Sequence, residues 1–414
     1  MGLEKSRSKG TGPLCLLWQR FGPYHHARLK AFRKLHDVVG IEFSSVDPTY
    51  QWDKVTSKGG AGLVTLFHDR FSQEIPVAQI QHRLAEVLGA IQPSALAIAG
   101  WSGRVPLAAL GWCLDHHVPA VLMSPSQRND SPRVWYKEWP KKRIVRLFGA
   151  ALVGGAPQKR YLMELGFPRD RIATGYNVVD NGHFFRGAQK ARKSAKSLRA
   201  SLGLPDDFFV VSARFVPKKN LERFLKAYAI YTKCFLKKSW SLIILGEGSG
   251  RARLEKSVDE LGLRNFVGMP GFKQYNDLPL YYGLAKALVL PSTSEQWGLV
   301  VNEGMAAGLP VLVSDRAGCC EDLIGDGENG FLLDPLDAAQ MAGALAKIHR
   351  CGPIKSMGVR SLEIMRGFSP QSFAQGLSQA VAWAQEAPVK AVGALDRFIL
   401  KQVMRKNLKG YQDQ

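Results

Sequence analysis

The chain has 414 residues, 46% of them hydrophobic, which excludes a disordered protein and suits two domains better than one ordinary core. No uninterrupted apolar run is long enough to span a bilayer, and the opening MGLEKSRSKG lacks the apolar centre of a signal peptide, so neither span nor export is expected. The net charge of +21 is lopsided: residues 1–200 hold 30 Lys/Arg against 14 Asp/Glu, a field that suits nucleic acid, anionic lipid or a phosphorylated acceptor, or simply a solvated basic surface.

The six cysteines include no CxxC pair and no histidine spacing suited to zinc, which reads as a cytoplasmic protein with free thiols. Gly2 and Ser6 formally fit a permissive myristoylation pattern. No Asp-x-Asp pair of the kind that holds a divalent metal against a diphosphate is present; Asp206–Asp207 and Asp326/Glu328 fall in expected turns.

In chain order, a first strand at Pro13–Trp18 leads into RFGPYHHARLKAFRKL, a loop that becomes an amphipathic helix. Gly22 at the strand's end permits close backbone approach to a ligand, and His25 and His26 stand at the helix start, either facing a crevice or merely solvated. Further apolar runs at Gly40–Ser44, Leu63–Phe67, Ala95–Ala99, Ala120–Met123, Ala151–Gly154 and Arg171–Tyr176, separated by helical stretches, predict a parallel doubly wound sheet.

Between them lies SPSQRNDSPRVWYKEWPKKRIVRLFG, where Trp135, Tyr136, Trp139 and Phe148 interleave with basic residues. That mixture suits a membrane–water interface, stacking on nucleic acid, or core aromatics beside a charged face. After Phe184 the composition turns to Lys, Arg, Ser and Ala, which places the domain linkage at 186–204, between a first domain (1–185) and a second (205–372).

The second half restarts the pattern with strands at Phe208–Ser212, Ser241–Leu245, Asn265–Val267, Ala287–Leu290 and Val311–Val313. Arg214, Lys218 and Lys219 follow the first of these; such cations can neutralise a diphosphate without a metal, or be plain surface charge. The GEGSG turn at Gly246–Gly250 follows another strand. Arg251 replaces the last glycine of a dinucleotide pattern, so a nicotinamide site is not expected, and the turn reads as open backbone facing a crevice.

The stretch ALVLPSTSEQWGLVVNEGMAAGLPVLVSD (287–315) reads as a strand–loop–helix–strand unit. Its helix, about Gly298–Ala307, begins where unpaired amides and the helix dipole favour an anion. Glu295 in the loop and Glu303 in the helix flank that spot. The conflict between acids and an anion site resolves if the ligand has hydroxyls as well as phosphates: carboxylates take the hydroxyls, while the amides of Gly298 and Leu299 take phosphate oxygens. A nucleotide-diphosphate sugar has both.

Taken together, SARFVPKKN, IILGEGSG, GFKQYNDLPLYYGLAKALVLPS and SEQWGLVVNEGMAAGLPVLVSD resemble, in order and spacing, four motifs of the retaining family 4 (group 1) glycosyltransferases. The resemblance implies the GT-B architecture: α/β, two Rossmann-like doubly wound domains facing a cleft, and a C-terminal helical segment (373–414) crossing back onto the first domain. It also implies metal-independent transfer from a nucleotide-diphosphate sugar, with no cofactor. Carried onto this sequence, Arg214 and Lys219 hold the diphosphate and Glu303 the ribose. Glu295 contacts the transferred sugar, Gly298 and Leu299 offer amides, and the backbone at Phe272–Lys273, beside the Gly246 turn, reads the base.

At the N-terminal end the chain has one glycine, Gly22, where the family has a pair, so acceptor-side roles for Gly22 and His25 rest on position alone. A saccharide or lipid-linked acceptor at the inner face of an anionic membrane is expected, and no nucleic-acid partner. A small-molecule acceptor and a nucleotide-sugar 2-epimerase of the same architecture are the alternatives; a nucleic-acid-binding protein is the rival from charge alone. The tail ALDRFILKQVMRKNLKG puts Leu395, Phe398, Ile399 and Val403 on one helical face, suited to an interface or to docking on the first domain.

Overall fold

The computed structural model describes residues 12–46, 52, 62–71, 74–352, 354–388 and 392–406. Gly2, Ser6 and the tail beyond Lys406 lie outside the described residues. Within them two wholly parallel sheets form. The first holds β1 (Leu14–Trp18), β2 (Val38–Ser44), β3 (Leu63–Phe67), β4 (Ala95–Ala99), β5 (Ala120–Ser124), β6 (Ala150–Val153) and β7 (Ile172–Thr174) in the order β3-β2-β1-β4-β5-β6-β7. The second holds β8 (Phe208–Ser212), β9 (Ser241–Leu245), β10 (Val267–Gly268), β11 (Ala287–Leu290), β12 (Val311–Ser314) and β13 (Gly330–Leu333) in the order β10-β9-β8-β11-β12-β13.

Helices cover both faces of each sheet, so the strands read as near-continuous apolar runs with alternate residues in opposite cores. Leu17, Ile41, Ile98 and Leu122 join one core, and Leu16, Ala97, Val121 and Met123 the other. In the second sheet Val210, Ile243, Leu288 and Val313 face one layer, and Val211, Ile244, Val289 and Leu312 face the opposite one.

Strand order reverses between β1 and β4, and between β8 and β11. Such a switch point opens a crevice at the carboxyl ends of the two strands. The segments carrying Gly22 and His25, Arg214 and Lys219, and Glu295 all follow strands flanking a switch point.

The stretch 186–204 is helical, within helices Asn181–Lys193 and Ala195–Leu202, the second closed by left-handed Gly203 (φ 63°). Its Ala, Lys and Arg are good helix formers. Phe184, Ala188 and Ala191 are buried against the helix Leu278–Leu284, where a side chain on Gly283 would meet the Ala188 carbonyl oxygen at 2.6 Å. Helix Pro370–Glu386, capped by Ser369, lays Phe373, Leu377 and Val381 on the first sheet.

The last helix, Ala394–Lys406, also docks on the first domain. Ile399, Leu400 and Met404 are buried there, whereas Leu395 and Phe398 point outward, so its buried face is rotated from the one expected. Phe148 is a core residue, while Trp135 (82% exposed), Tyr136 and Trp139 stand on the surface of helix Trp135–Val145 beside that tail. No helix among the described residues is long and apolar enough to cross a membrane.

Candidate functional site

Asn220 sets the centre of the site. It closes the short turn Pro217–Lys219 in the left-handed region (φ 58°), which Asn tolerates better than most residues. Its buried side-chain amide donates to the carbonyls of Pro291 (3.0 Å) and Pro335 (2.7 Å). Those two ties pull the loop after β8 onto the loops after β11 and β13, and Lys219 there forms an ion pair with Glu295. Ser292 donates to the same carboxylate oxygen (2.9 Å), and Thr293 N donates to the Lys218 carbonyl (2.9 Å). Asn220→Ala leaves the buried Pro291 carbonyl without its donor, leaves the Pro335 carbonyl to Arg223 alone (3.3 Å) and strains the turn; a loss of roughly 1–3 kcal/mol of stability is expected, read as the urea midpoint at constant slope.

Lys218 lies in the same field. Its ammonium is pushed below its ordinary pKa by burial; Glu295 opposes the shift, Lys219 and Arg214 reinforce it, and Asp130 opposes it weakly. Arg214, Lys218, Lys219 and Glu295 therefore form one charged cluster at the carboxyl ends of β8 and β11, as their strand-end positions imply.

Glu303 is buried, and its surroundings depart from the simplest expectation. Its carboxyl meets neither Lys219 nor Arg214 directly. Tyr24, on the first helix of the first domain, donates to one oxygen, and Tyr282 donates to the other at 2.6 Å. Burial raises the Glu303 carboxyl to about 7, and the two phenol hydrogen bonds only partly offset that. Burial and the adjacent carboxylate hold both phenols well above their ordinary range. Ser212, on β8 two residues before Arg214, is near enough to Tyr282 to ease that shift.

Glycines shape the side of the site next to Phe272 and Lys273. Gly246 (φ 147°) and Gly248 (φ 152°) are held against the loop after β8: a Cβ on Gly246 would stand 1.9 Å from the Ala213 carbonyl oxygen. The turn thus packs against Ala213–Phe215 while Gly248 and Ser249 stay exposed, and it props up the Arg214 segment. Gly246 N donates to the Gly271 carbonyl (3.1 Å), which sets Phe272 and Lys273 beside the turn; Phe272 is exposed, and Lys273 lies over the Tyr281 ring. Gly298 takes φ 104°, where a Cβ would press on Leu290, and starts the helix Leu299–Ala306, whose first amides have no intrahelical acceptor.

From the first domain, His25 accepts a hydrogen bond at Nδ1 from the Gly22 amide (3.2 Å), and its ring packs against Trp18. Burial, then Arg28 and His26, depress its pKa well below the usual value. His25 is therefore neutral with its proton on Nε2, a hydrogen-bond donor rather than an acid.

The two domains already touch. Gln127 donates to the carbonyl of Glu295 (2.7 Å), Gln158 to that of Gln296 (2.7 Å), and the Ala156 amide to Asp322 (3.0 Å). Tyr24 counts with the core of the second domain. Sequence reasoning missed Tyr24, Gln127 and Gln158, since nothing in their neighbourhoods marks contacts to residues more than a hundred positions away, and it missed Tyr282, whose partner Glu303 is 21 positions on in a different element. The "PKKN" asparagine was visible, but its tethering task was not.

Fold and site together define a two-domain α/β protein of GT-B architecture with a cationic cluster at the switch point of its second domain. Residues 194–357 match the family model for glycosyl transferases group 1, in line with the four motifs. Among curated relatives, the D-inositol 3-phosphate glycosyltransferase of Nocardia farcinica is 29% identical over 303 residues, covering 70% of this chain and 65% of that protein. The alpha-D-kanosaminyltransferase of Streptomyces kanamyceticus is 31% identical over 214 residues, covering 51% and 54%. The matched region thus spans between about half and two thirds of the length of these relatives.

Among solved structures, Anabaena HepE in complex with UDP and glucose superposes with a TM-score of 0.70 at 17% identity, over 90% of this chain and 99% of that one. The alpha,alpha-trehalose 6-phosphate synthase of Burkholderia multivorans gives 0.70 at 14%, over 90% and 98%. At such identity these two likenesses bear on the fold.

Proposed function

We propose that the protein transfers a sugar from a nucleotide-diphosphate sugar to a hydroxyl-bearing acceptor, with retention at the anomeric carbon and without a metal. The observation that carries this reading is the cluster of Arg214, Lys218 and Lys219 around Glu295, at the strand ends where a parallel sheet binds ligands, beside the start of helix Leu299–Ala306. The cations neutralise charge on the departing diphosphate; Glu295 holds Lys219 in place and contacts the transferred sugar; Glu303 takes the ribose hydroxyls. UDP in a structure of the same fold supports a uridine donor as the first to try. His25 Nε2–H and the Gly22 backbone face this chemistry from the acceptor side, and closure of the domains keeps water from the donor.

A thermal-shift panel of nucleotide sugars tests the reading: stabilisation by one base and sugar above the others is expected, and indifference to all of them refutes it.

We infer a lipid-linked or cell-surface saccharide as acceptor and a peripheral position on the inner face of an anionic membrane. Exposed Trp135, Tyr136 and Trp139 lie in a half of the chain rich in Lys and Arg, on a helix that packs against the one carrying exposed Leu395 and Phe398. Replacing both Trp135 and Trp139 with alanine is expected to lower cosedimentation with anionic vesicles by roughly tenfold or more, from lost apolar burial. Raising salt should weaken the wild type too. Binding that ignores both changes refutes the membrane surface. A small-molecule acceptor is the second reading, favoured by what the two named relatives act on according to their names.

A further inference from the structure

A ribose on Glu303 needs a carboxylate oxygen that Tyr24 already holds. Glu303 Oε1 accepts from the Tyr24 hydroxyl, and Oε2 from that of Tyr282 at 2.6 Å. Glu303 is 4% exposed and Tyr24 6%, so the phenols cover the acceptor as well as bond to it. The two phenols differ in origin. Tyr282, in helix Leu278–Leu284, belongs to the same domain as Glu303, whereas Tyr24 reaches across from the first turn of helix Pro23–Phe32 in the other domain.

The Tyr24 ring stands edge-to-face with Trp52 of the first domain (centroids 5.0 Å apart) and with Tyr275 of the second (5.7 Å), and it packs in the second domain's core. Held between them, the ring has little room to swing aside by a change of rotamer. Its hydroxyl leaves Glu303 by withdrawing with its helix, and so with the first domain. Other ties between the domains are of a different kind. Gln127 and Gln158 donate to the backbone carbonyls of Glu295 and Gln296, and the Ala156 amide to Asp322, so these three leave the Glu303 carboxylate untouched.

We propose that Tyr24 is a latch on the nucleotide site: its hydroxyl competes with the ribose hydroxyls for Glu303, and the site admits a nucleotide only when the first domain draws Tyr24 back. This deepens the transferase reading above and rests on it. The apparent affinity for a nucleotide is then the intrinsic affinity reduced by the fraction of molecules with Tyr24 withdrawn. Removing the hydroxyl raises that fraction, because the latched form loses a bond and keeps a buried carboxylate oxygen without its donor. Tyr282 moves with Glu303 and stays bonded to the other oxygen. Burial and the adjacent carboxylate keep the Tyr24 phenol protonated, so it remains a donor over the working range of pH.

The experiment compares the full chain with Tyr24→Phe, which keeps the ring packing, and with Gln158→Ala, which cuts a domain tie remote from the carboxylate. Calorimetry reads UDP affinity, and stopped-flow tryptophan emission, to which Trp52 beside Tyr24 contributes, reads the rate of association. Tyr24→Phe is expected to bind UDP about tenfold more tightly, the effect of deleting one hydrogen bond to a carboxylate from the competing state. In the wild type the association rate should level off as UDP is raised, at a ceiling set by release of the latch; in Tyr24→Phe that ceiling should rise about tenfold or vanish. Unchanged or weaker UDP binding by Tyr24→Phe overturns the latch, and so does an equal gain from Gln158→Ala, which would mean that domain opening alone tightens binding. Should Tyr24→Phe not fold, the wild-type kinetics decide: a rate that climbs linearly with UDP without a ceiling overturns the latch. Each of these results leaves the transferase reading intact. Failure of wild type and variants alike to bind UDP or any other nucleoside diphosphate would remove that reading, and the latch with it.

Discussion

Arg214→Ala is expected to lower turnover by roughly a hundred- to a thousandfold, the effect of removing one preorganised donor from a developing anion. The reasoning starts from position. Arg214 follows β8 by two residues, in a loop held down by the Gly246 and Gly248 packing and by the Asn220 tether. A guanidinium fixed by such a frame needs no reorganisation as the diphosphate departs, and it can clasp two phosphate oxygens at once. Lys218 and Lys219 remain in the variant, so donor affinity should fall far less than kcat. Arg214→Lys should recover only part of the loss, since an ammonium is a point charge. Because the counter-charge is supplied by side chains, EDTA should leave wild-type turnover nearly unchanged. A variant with normal kcat, or strict dependence on a divalent ion, would sink the role proposed for this arginine.

Much of this frame was legible before any coordinates, for a definable reason. Parallel strands buried on both faces appear as short apolar runs bounded by turn residues, and their ends mark where ligands gather. That logic located β8, β9 and β11 to the residue, and with them the neighbourhood of Arg214, Lys219 and Glu295. Composition alone does not reveal packing. The basic stretch after Phe184, read as the domain linkage from its charges, is helical and hides a buried stripe of Ala188 and Ala191. The edge strand Gly330–Leu333 went unseen, being only four residues with Phe331 and Leu332 partly exposed. Residues whose tasks depend on the other domain left no local trace. Tyr24 sits 279 positions from Glu303, and Gln127 168 positions from Glu295.

Glu303→Gln carries the other large effect, and it tests the ribose assignment by affinity and by pH. Losing hydrogen bonds from hydroxyls to a charged acceptor should weaken nucleotide binding by roughly 1.5–3 kcal/mol, about ten- to a hundredfold. The wild-type carboxyl titrates near 7 in the folded protein, against an ordinary value near 4.5. Between those values the folded state binds more protons than the unfolded one, so this group's contribution to stability falls as pH rises through the window and is level above it. At 1.36 kcal/mol per unit the whole change is roughly 3 kcal/mol. Glutamine removes that slope; it should therefore gain on the wild type as pH rises from 5 to 8, a shift read from urea midpoints at each pH. Tyr24 and Tyr282 stay protonated throughout and can still pair with the amide, so the site survives the substitution. Nucleotide affinity should move the opposite way, because an ionised Glu303 is the better acceptor for ribose: it should strengthen from pH 6 to 8 in the wild type and stay flat in the variant. Calorimetric titration of UDP across that range decides the matter. Parallel pH profiles in the two proteins would detach Glu303 from the nucleotide and leave it a buried strut between Tyr24 and Tyr282.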